Sequence, residues 1–176
     1  MVTRVFPVDP VSPSPRVIEE VAAILKRGGL VAFPTETVYG LGADGLDGEA
    51  VRRIFVAKGR PQDNPLILHV SGRGQVGRLV DFIPDAAELL MDAFWPGPLT
   101  LVLKKSGVVP DVVSAGLDSV AVRMPANAVA SALISAVGRP LAAPSANLSG
   151  RPSPTAAEHV VEDLDGRVDA VLDGGV

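Results

Sequence analysis

The 176-residue chain has no cysteine, two histidines and only seven aromatic side chains: one Trp, one Tyr and five Phe. Without cysteine it can form neither disulfides nor thiolate metal sites. His69 and His159 are far from any paired spacing such as H-E-x-x-H, so a histidine-based metal site has no support. No G-x-S-x-G elbow occurs, and no Ser-His-Asp set can be assembled. No apolar run approaches the roughly 20 residues of a membrane span. The opening MVTRVFPVDP lacks the apolar core of a secretory signal, and together these point to the cytoplasm. A net charge of −4 argues against a surface coated in positive potential.

What remains is the composition of an ordinary folded domain, 47% hydrophobic and 20% charged. A chain of this length buries roughly 70% of its unfolded surface, enough for one core. Eighteen glycines and sixteen prolines are spread along it, as tight turns between many short elements require. Ser14-Pro15 offers an N-cap and first-turn proline for a helix through Lys26, stopped by Gly28-Gly29. Strands are expected at 30–33, 66–70, 99–103, 119–122, 141–143 and 170–172. Helices are expected at 49–57, 84–94, 126–137 and 155–164, the last capped by Thr155. The alternation predicts one α/β domain over residues 1–176, with helices laid on a twisted mixed sheet.

Three segments carry more chemistry than connectors need. Lys58-Gly-Arg-Pro-Gln-Asp-Asn-Pro-Leu-Ile-Leu-His69 puts a point charge and a planar five-donor fork on one short loop. That pairing suits a polyphosphate, and Arg52 and Arg53 lie just upstream. Phe33-Pro-Thr-Glu-Thr-Val-Tyr-Gly-Leu-Gly42 follows a strand, where loop residues of α/β sheets reach ligands. Its G-x-G-x-x-G string, Gly40 to Gly45, begins too far beyond Phe33 to be a dinucleotide turn. Those glycines are expected to let the backbone approach a ligand or adopt positive φ. Ala142-Ala-Pro-Ser-Ala-Asn-Leu-Ser-Gly-Arg-Pro-Ser153 is a loop of small hydroxyls whose amides could cradle phosphate. Each segment alone is also ordinary turn, core or surface chemistry. His159, beside Glu158, Glu162 and Asp163, reads as solvated surface.

In their succession along the chain, and over most of its length, the three segments resemble the signature of the YrdC-like family of threonylcarbamoyl-AMP synthases. The resemblance implies a twisted sheet bordering a large concave cavity. It implies formation of threonylcarbamoyl-AMP and pyrophosphate from L-threonine, bicarbonate and ATP. The product serves the threonylcarbamoyladenosine base of tRNA, with tRNA or the threonylcarbamoyl-transfer machinery as further partners. Residue by residue it assigns ATP to Lys58, Arg60, Asn64, Ser119, Ser145, Asn147 and Ser153, with Lys58 and Arg60 supplying charge to the phosphates. L-threonine falls to Thr37, His69, Arg123 and Ala143. Magnesium is expected only as it arrives on ATP.

The resemblance also implies a further strand after Val176, carrying a Ser-Thr pair and an arginine, and in longer members a second domain. The 176 residues alone are therefore expected to bind nucleotide weakly and to form little product. Two rivals share the fold: a double-stranded RNA-binding module, and a carbamoyl-adenylate former of the kind used in hydrogenase maturation. The charge of −4 and the scarcity of aromatics weigh against the first, and the second needs extra domains.

Overall fold

The computed structural model describes residues 2–176. Its strands are β1 (Arg4–Pro7), β2 (Val31–Phe33), β3 (Gly40–Asp44), β4 (Ile67–His69), β5 (Thr100–Lys104), β6 (Ser119–Arg123), β7 (Leu141–Ala142) and β8 (Ala170–Asp173). Its helices are α1 (Pro15–Lys26), α2 (Gly48–Lys58), α3 (Arg73–Leu79), α4 (Asp85–Phe94), α5 (Asp111–Ser114), α6 (Ala128–Val137) and α7 (Ala157–Leu164). The strands form one sheet in the order β1-β8-β2-β3-β7-β4-β6-β5. Pairing is parallel at β1–β8, β2–β8 and β4–β6 and antiparallel elsewhere, so the sheet is mixed as expected. No helix among the described residues is long and apolar enough to cross a membrane.

Local chemistry accounts for most element ends. The Asp47 side chain accepts from the amides of Glu49 and Ala50 and starts α2, and Gly59 ends it at φ 60°. Asn127 caps α6 in the same way, and Gly138 closes it. Two expected caps fail: the Ser14 side chain makes no cap bond at α1, although Pro15 holds its first turn. Thr155 is displaced by Ala156 at the start of α7.

The larger correction is β3. The glycine string expected to be an open loop is a fully buried central strand, and none of Gly40, Gly42 or Gly45 has positive φ. The reason is space. A Cβ on Gly42 would lie 2.7 Å from the Phe33 ring, and one on Gly45 would lie 2.6 Å from Leu68 Cδ2. These glycines let the strand pass beneath neighbouring side chains.

Register fixes which residues share a face, because side chains alternate along a strand. Ala32, Leu41, Ala43, Leu68, Ala142 and Val122 face the core that also holds Ile54 and Phe55 of α2 and Met91 of α4. On the opposite face, α1 and α6 cover Val31, Phe33, Leu141, Ala143 and Leu172. The same face continues past the edge of these helices through Ile67 and His69 of β4, Ala121 and Arg123 of β6, and Val102 of β5. Val102 is 66% exposed there. This part of the sheet face is not covered by α1 and α6, and it carries the polar side chains of His69 and Arg123.

Candidate functional site

Two clusters border the uncovered face. The first gathers around Arg123, at the last position of β6. Its parallel neighbour in register is His69, at the end of β4. The β2–β3 connection, residues 34–39, bends over both. Thr35 organises that bend: its Oγ1 accepts from the amides of Thr37 and Val38 and donates to the Val38 carbonyl. The turn delivers Thr37 Oγ1 to 3.2 Å from Arg123 Nη1 and Glu36 Oε1 to 2.9 Å from Nη2. Ala126 N also donates to Glu36 Oε1, at 3.2 Å.

Arg123 is only 7% exposed, and its contacts leave donors over. Nε has no acceptor among the described residues, and Nη2 has only the Glu36 ion pair, which misses good hydrogen-bond geometry. Unpaired buried donors are costly. Together, Nε and Nη2 form the edge of a guanidinium that meets a carboxylate bidentately.

His69 is 3% exposed. Burial, then the charge of Arg123, pushes its imidazole down to about 4, so it is neutral at physiological pH. Nδ1 lies 3.3 Å from the Ile67 carbonyl, which can only accept. The proton therefore sits on Nδ1, and Nε2 is left as an acceptor. For Glu36, burial acts to raise the carboxyl, but the Arg123 contact and backbone donors outweigh it and hold it below its ordinary value. Ala143, the remaining threonine candidate, is a buried floor residue whose amide bonds to Ile67. The structure thus brings Thr37, His69 and Arg123 together.

The second cluster lies around the 145–153 loop. Lys58 ends α2 only 3% exposed, and its ammonium donates to the Ser145 carbonyl and, at 2.6 Å, to the Asn147 carbonyl. Burial, then repulsion from Arg60, lowers it to about 8. Two of its three N–H groups are thus committed to the loop, so Lys58 braces the loop where the sequence suggested a free phosphate charge. The loop amides are also engaged. Ala146 N donates to Tyr39 O, Ser149 N to Lys58 O, Arg151 N to Leu148 O, and Leu148 N to the Asp163 carboxylate. Those four amides are not available to a phosphate.

Arg60 is the freer cation. It is half-buried, donates only to the Asn64 carbonyl at 3.3 Å, and stands 6.0 Å from the Phe55 ring centroid. Arg52 and Arg53 do not join it. Arg52 pairs with Glu49, and Arg53 reaches Gly28 O and Asp169. Asn147 is 6% exposed, with an amide group that donates to Leu148 O and Arg151 O and a side-chain Oδ1 that is buried without a donor. Ser153 lines a cavity of about 310 Å³ with Arg151, His159 and Asp163. Ser119 begins β6, opposite Lys104 of β5 and about 13 Å along the strand from Arg123. Among the described residues no group of three or more His, Asp or Glu side chains is arranged to hold a metal ion.

Three residues of these clusters had no role assigned from sequence. Glu36 sits between the two threonines, but nothing in the sequence ties it to an arginine 87 positions later. Asp163 shares a helix with exposed acids and reads as solvated surface. In fact its side chain is 8% exposed and binds Leu148 N and Arg151. Tyr39, the sole tyrosine, donates its hydroxyl to Gly175 O and accepts from Gly174 N. With Glu36 and Thr37 it lines a cavity of about 440 Å³.

The chain is similar to known proteins in sequence and in fold. Residues 23–176 match the family model Sua5/YciO/YrdC, described as "Telomere recombination". A threonylcarbamoyl-AMP synthase of Pyrococcus abyssi is 60% identical over 154 residues, covering 88% of this chain and 45% of that protein. Its namesake in Bacillus subtilis is 54% identical over 159 residues, covering 90% and 46%. The crystal structure of P. abyssi Sua5 complexed with L-threonine superposes with a TM-score of 0.96 at 55% identity, covering 98% of this chain and 51% of that one. The chain spans about half the length of these relatives. Matched over nearly its whole length in sequence and in fold, the chain belongs to the Sua5/YciO/YrdC family.

Proposed function

We propose that this domain forms threonylcarbamoyl-AMP and pyrophosphate from L-threonine, bicarbonate and ATP, for modification of tRNA. One observation carries the reading: the buried Nε–Nη2 edge of Arg123 makes no well-formed hydrogen bond within the protein, beside Thr37 and the neutral His69. The carboxylate of an amino acid satisfies both at once. The hydroxyl of Thr37 and the Nε2 lone pair of His69 then suit the substrate hydroxyl, and Ala143 leaves room for it. The names of the close relatives, and the threonine bound in one of them, favour the synthase over the RNA-binding module.

The chemistry needs no protein nucleophile. The threonine amine and bicarbonate combine to a carbamate with loss of water. A carbamate oxygen then attacks the α-phosphorus, and pyrophosphate leaves. The protein positions the reactants, neutralises phosphate charge and excludes water. Arg60 meets the phosphates, together with whatever magnesium ATP brings. Lys58 holds the 145–153 loop and gives its remaining N–H. Ser145, Asn147, Ser153, Asn64 and Ser119 serve the nucleotide. The test is mass spectrometry of a reaction containing all three substrates. The expected product appears only when each is present. ATP cleavage that is indifferent to threonine would contradict the reading.

A further inference from the structure

We infer that Glu36 is a specificity residue of the proposed amino-acid site, taking the α-ammonium of the substrate while Arg123 takes its carboxylate. The inference rests on the amino-acid reading above and adds a ligand group to it. The contacts that other residues make with the Glu36 carboxylate, from Arg123 Nη2 and from Ala126 N, fall on Oε1. Oε2 accepts no hydrogen bond from another of the described residues. The side chain is 22% exposed.

Geometry limits what can lie there. A carboxylate forked on Nε and Nη2 of Arg123 places its α-nitrogen a few ångströms from that edge, because only two bonds separate them. Glu36 Oε1 stands 2.9 Å from Nη2. A second anion brought to this arginine with no cation of its own would face the Glu36 carboxylate, which is unfavourable. A zwitterion brings the compensating charge in the right place. The Glu36–Arg123 pair is neutral overall and so selects a neutral ligand carrying both charges. An arginine alone would accept any small carboxylate. Glu36 is an anion at neutral pH, so it orients the ammonium without taking its proton.

The test compares two ligands on two proteins by calorimetry: L-threonine, and the hydroxy acid in which a hydroxyl replaces the amine. In the unmodified protein the hydroxy acid should bind at least about tenfold more weakly, the equivalent of one charge-assisted hydrogen bond. Glu36→Gln keeps an acceptor for Ala126 N and should weaken L-threonine by about tenfold while leaving the hydroxy acid unchanged or tighter. Four results would overturn the inference. Both ligands tightening would mean that Glu36 only occupies the arginine. Both weakening alike would mean that it only supports the loop. No change in either would remove its role. Equal binding of the two ligands to the unmodified protein would do so without any variant. Failure of L-threonine to bind the unmodified protein is a different outcome, which removes the amino-acid site itself and this inference with it.

Discussion

His69 and Arg123 stand directly opposite each other in the parallel β4–β6 ladder, two buried basic side chains on one face of the sheet. The pair avoids repulsion by leaving the imidazole neutral, since burial and the guanidinium both push His69 down to about 4. Burial first, and then the charged neighbour that the register supplies, set the protonation state of a proposed ligand residue.

A pH dependence of stability follows. The unfolded chain binds a proton on His69 near its ordinary value, while the folded chain resists until about 4. Stability is thus lost as pH falls through that window, and is unaffected by this group at pH 7 and above. Between pH 7 and pH 5 the loss is about 2 kcal/mol. Urea unfolding of the unmodified protein and of His69→Gln at both pH values checks it. The variant should lack that part of the slope.

Lys58 and Arg60 belong to one segment but should behave differently. Lys58→Met leaves the Ser145 and Asn147 carbonyls without their donor, and unfolding should become easier by roughly 1–3 kcal/mol. Arg60→Ala should leave stability within about 0.5 kcal/mol and weaken ATP by roughly 1.5–3 kcal/mol. Denaturant unfolding and ATP calorimetry on both variants separate the brace from the phosphate ligand. Unchanged ATP binding in folded Arg60→Ala would remove that residue from the nucleotide site.

Arg123→Lys tests the fork. It keeps the charge but gives up the planar pair of donors, and should weaken L-threonine by roughly 1.5–3 kcal/mol. ATP affinity should hold. A parallel loss of both ligands in calorimetry would point to a collapsed site.

Gly42→Ala tests the reading of β3. The added methyl meets the buried Phe33 ring at 2.7 Å, and overpacking of this kind costs about 1–3 kcal/mol. Gly77→Ala, inside α3, meets nothing within 4 Å and should be neutral or slightly stabilising. Thermal unfolding of the two variants gives the comparison.

Most helices and strands were legible because their apolar runs are bounded by Gly, Pro or a capping side chain, as at Pro15, Asp47 and Gly138. β3 was not legible, because glycine normally signals a turn and here answers to the rings and side chains above it. β1 and α3 escaped for other reasons. β1 is a short strand with mostly exposed side chains, defined by its pairing with distant β8. α3 has a glycine as N-cap and two more within its seven residues. Thr37, His69 and Arg123 were recognisable as candidates through family resemblance, and the fold brings them together. The Glu36–Arg123 and Asp163–Leu148 contacts were hidden, since each joins segments that only tertiary structure brings within reach.

The measurement that bears most directly on the account is a crystal structure of this protein with L-threonine. The account predicts the carboxylate forked on Nε and Nη2 of Arg123, with the substrate hydroxyl toward Thr37 and His69. Threonine bound elsewhere, or Nε of Arg123 still without an acceptor in a threonine-saturated crystal, would contradict it.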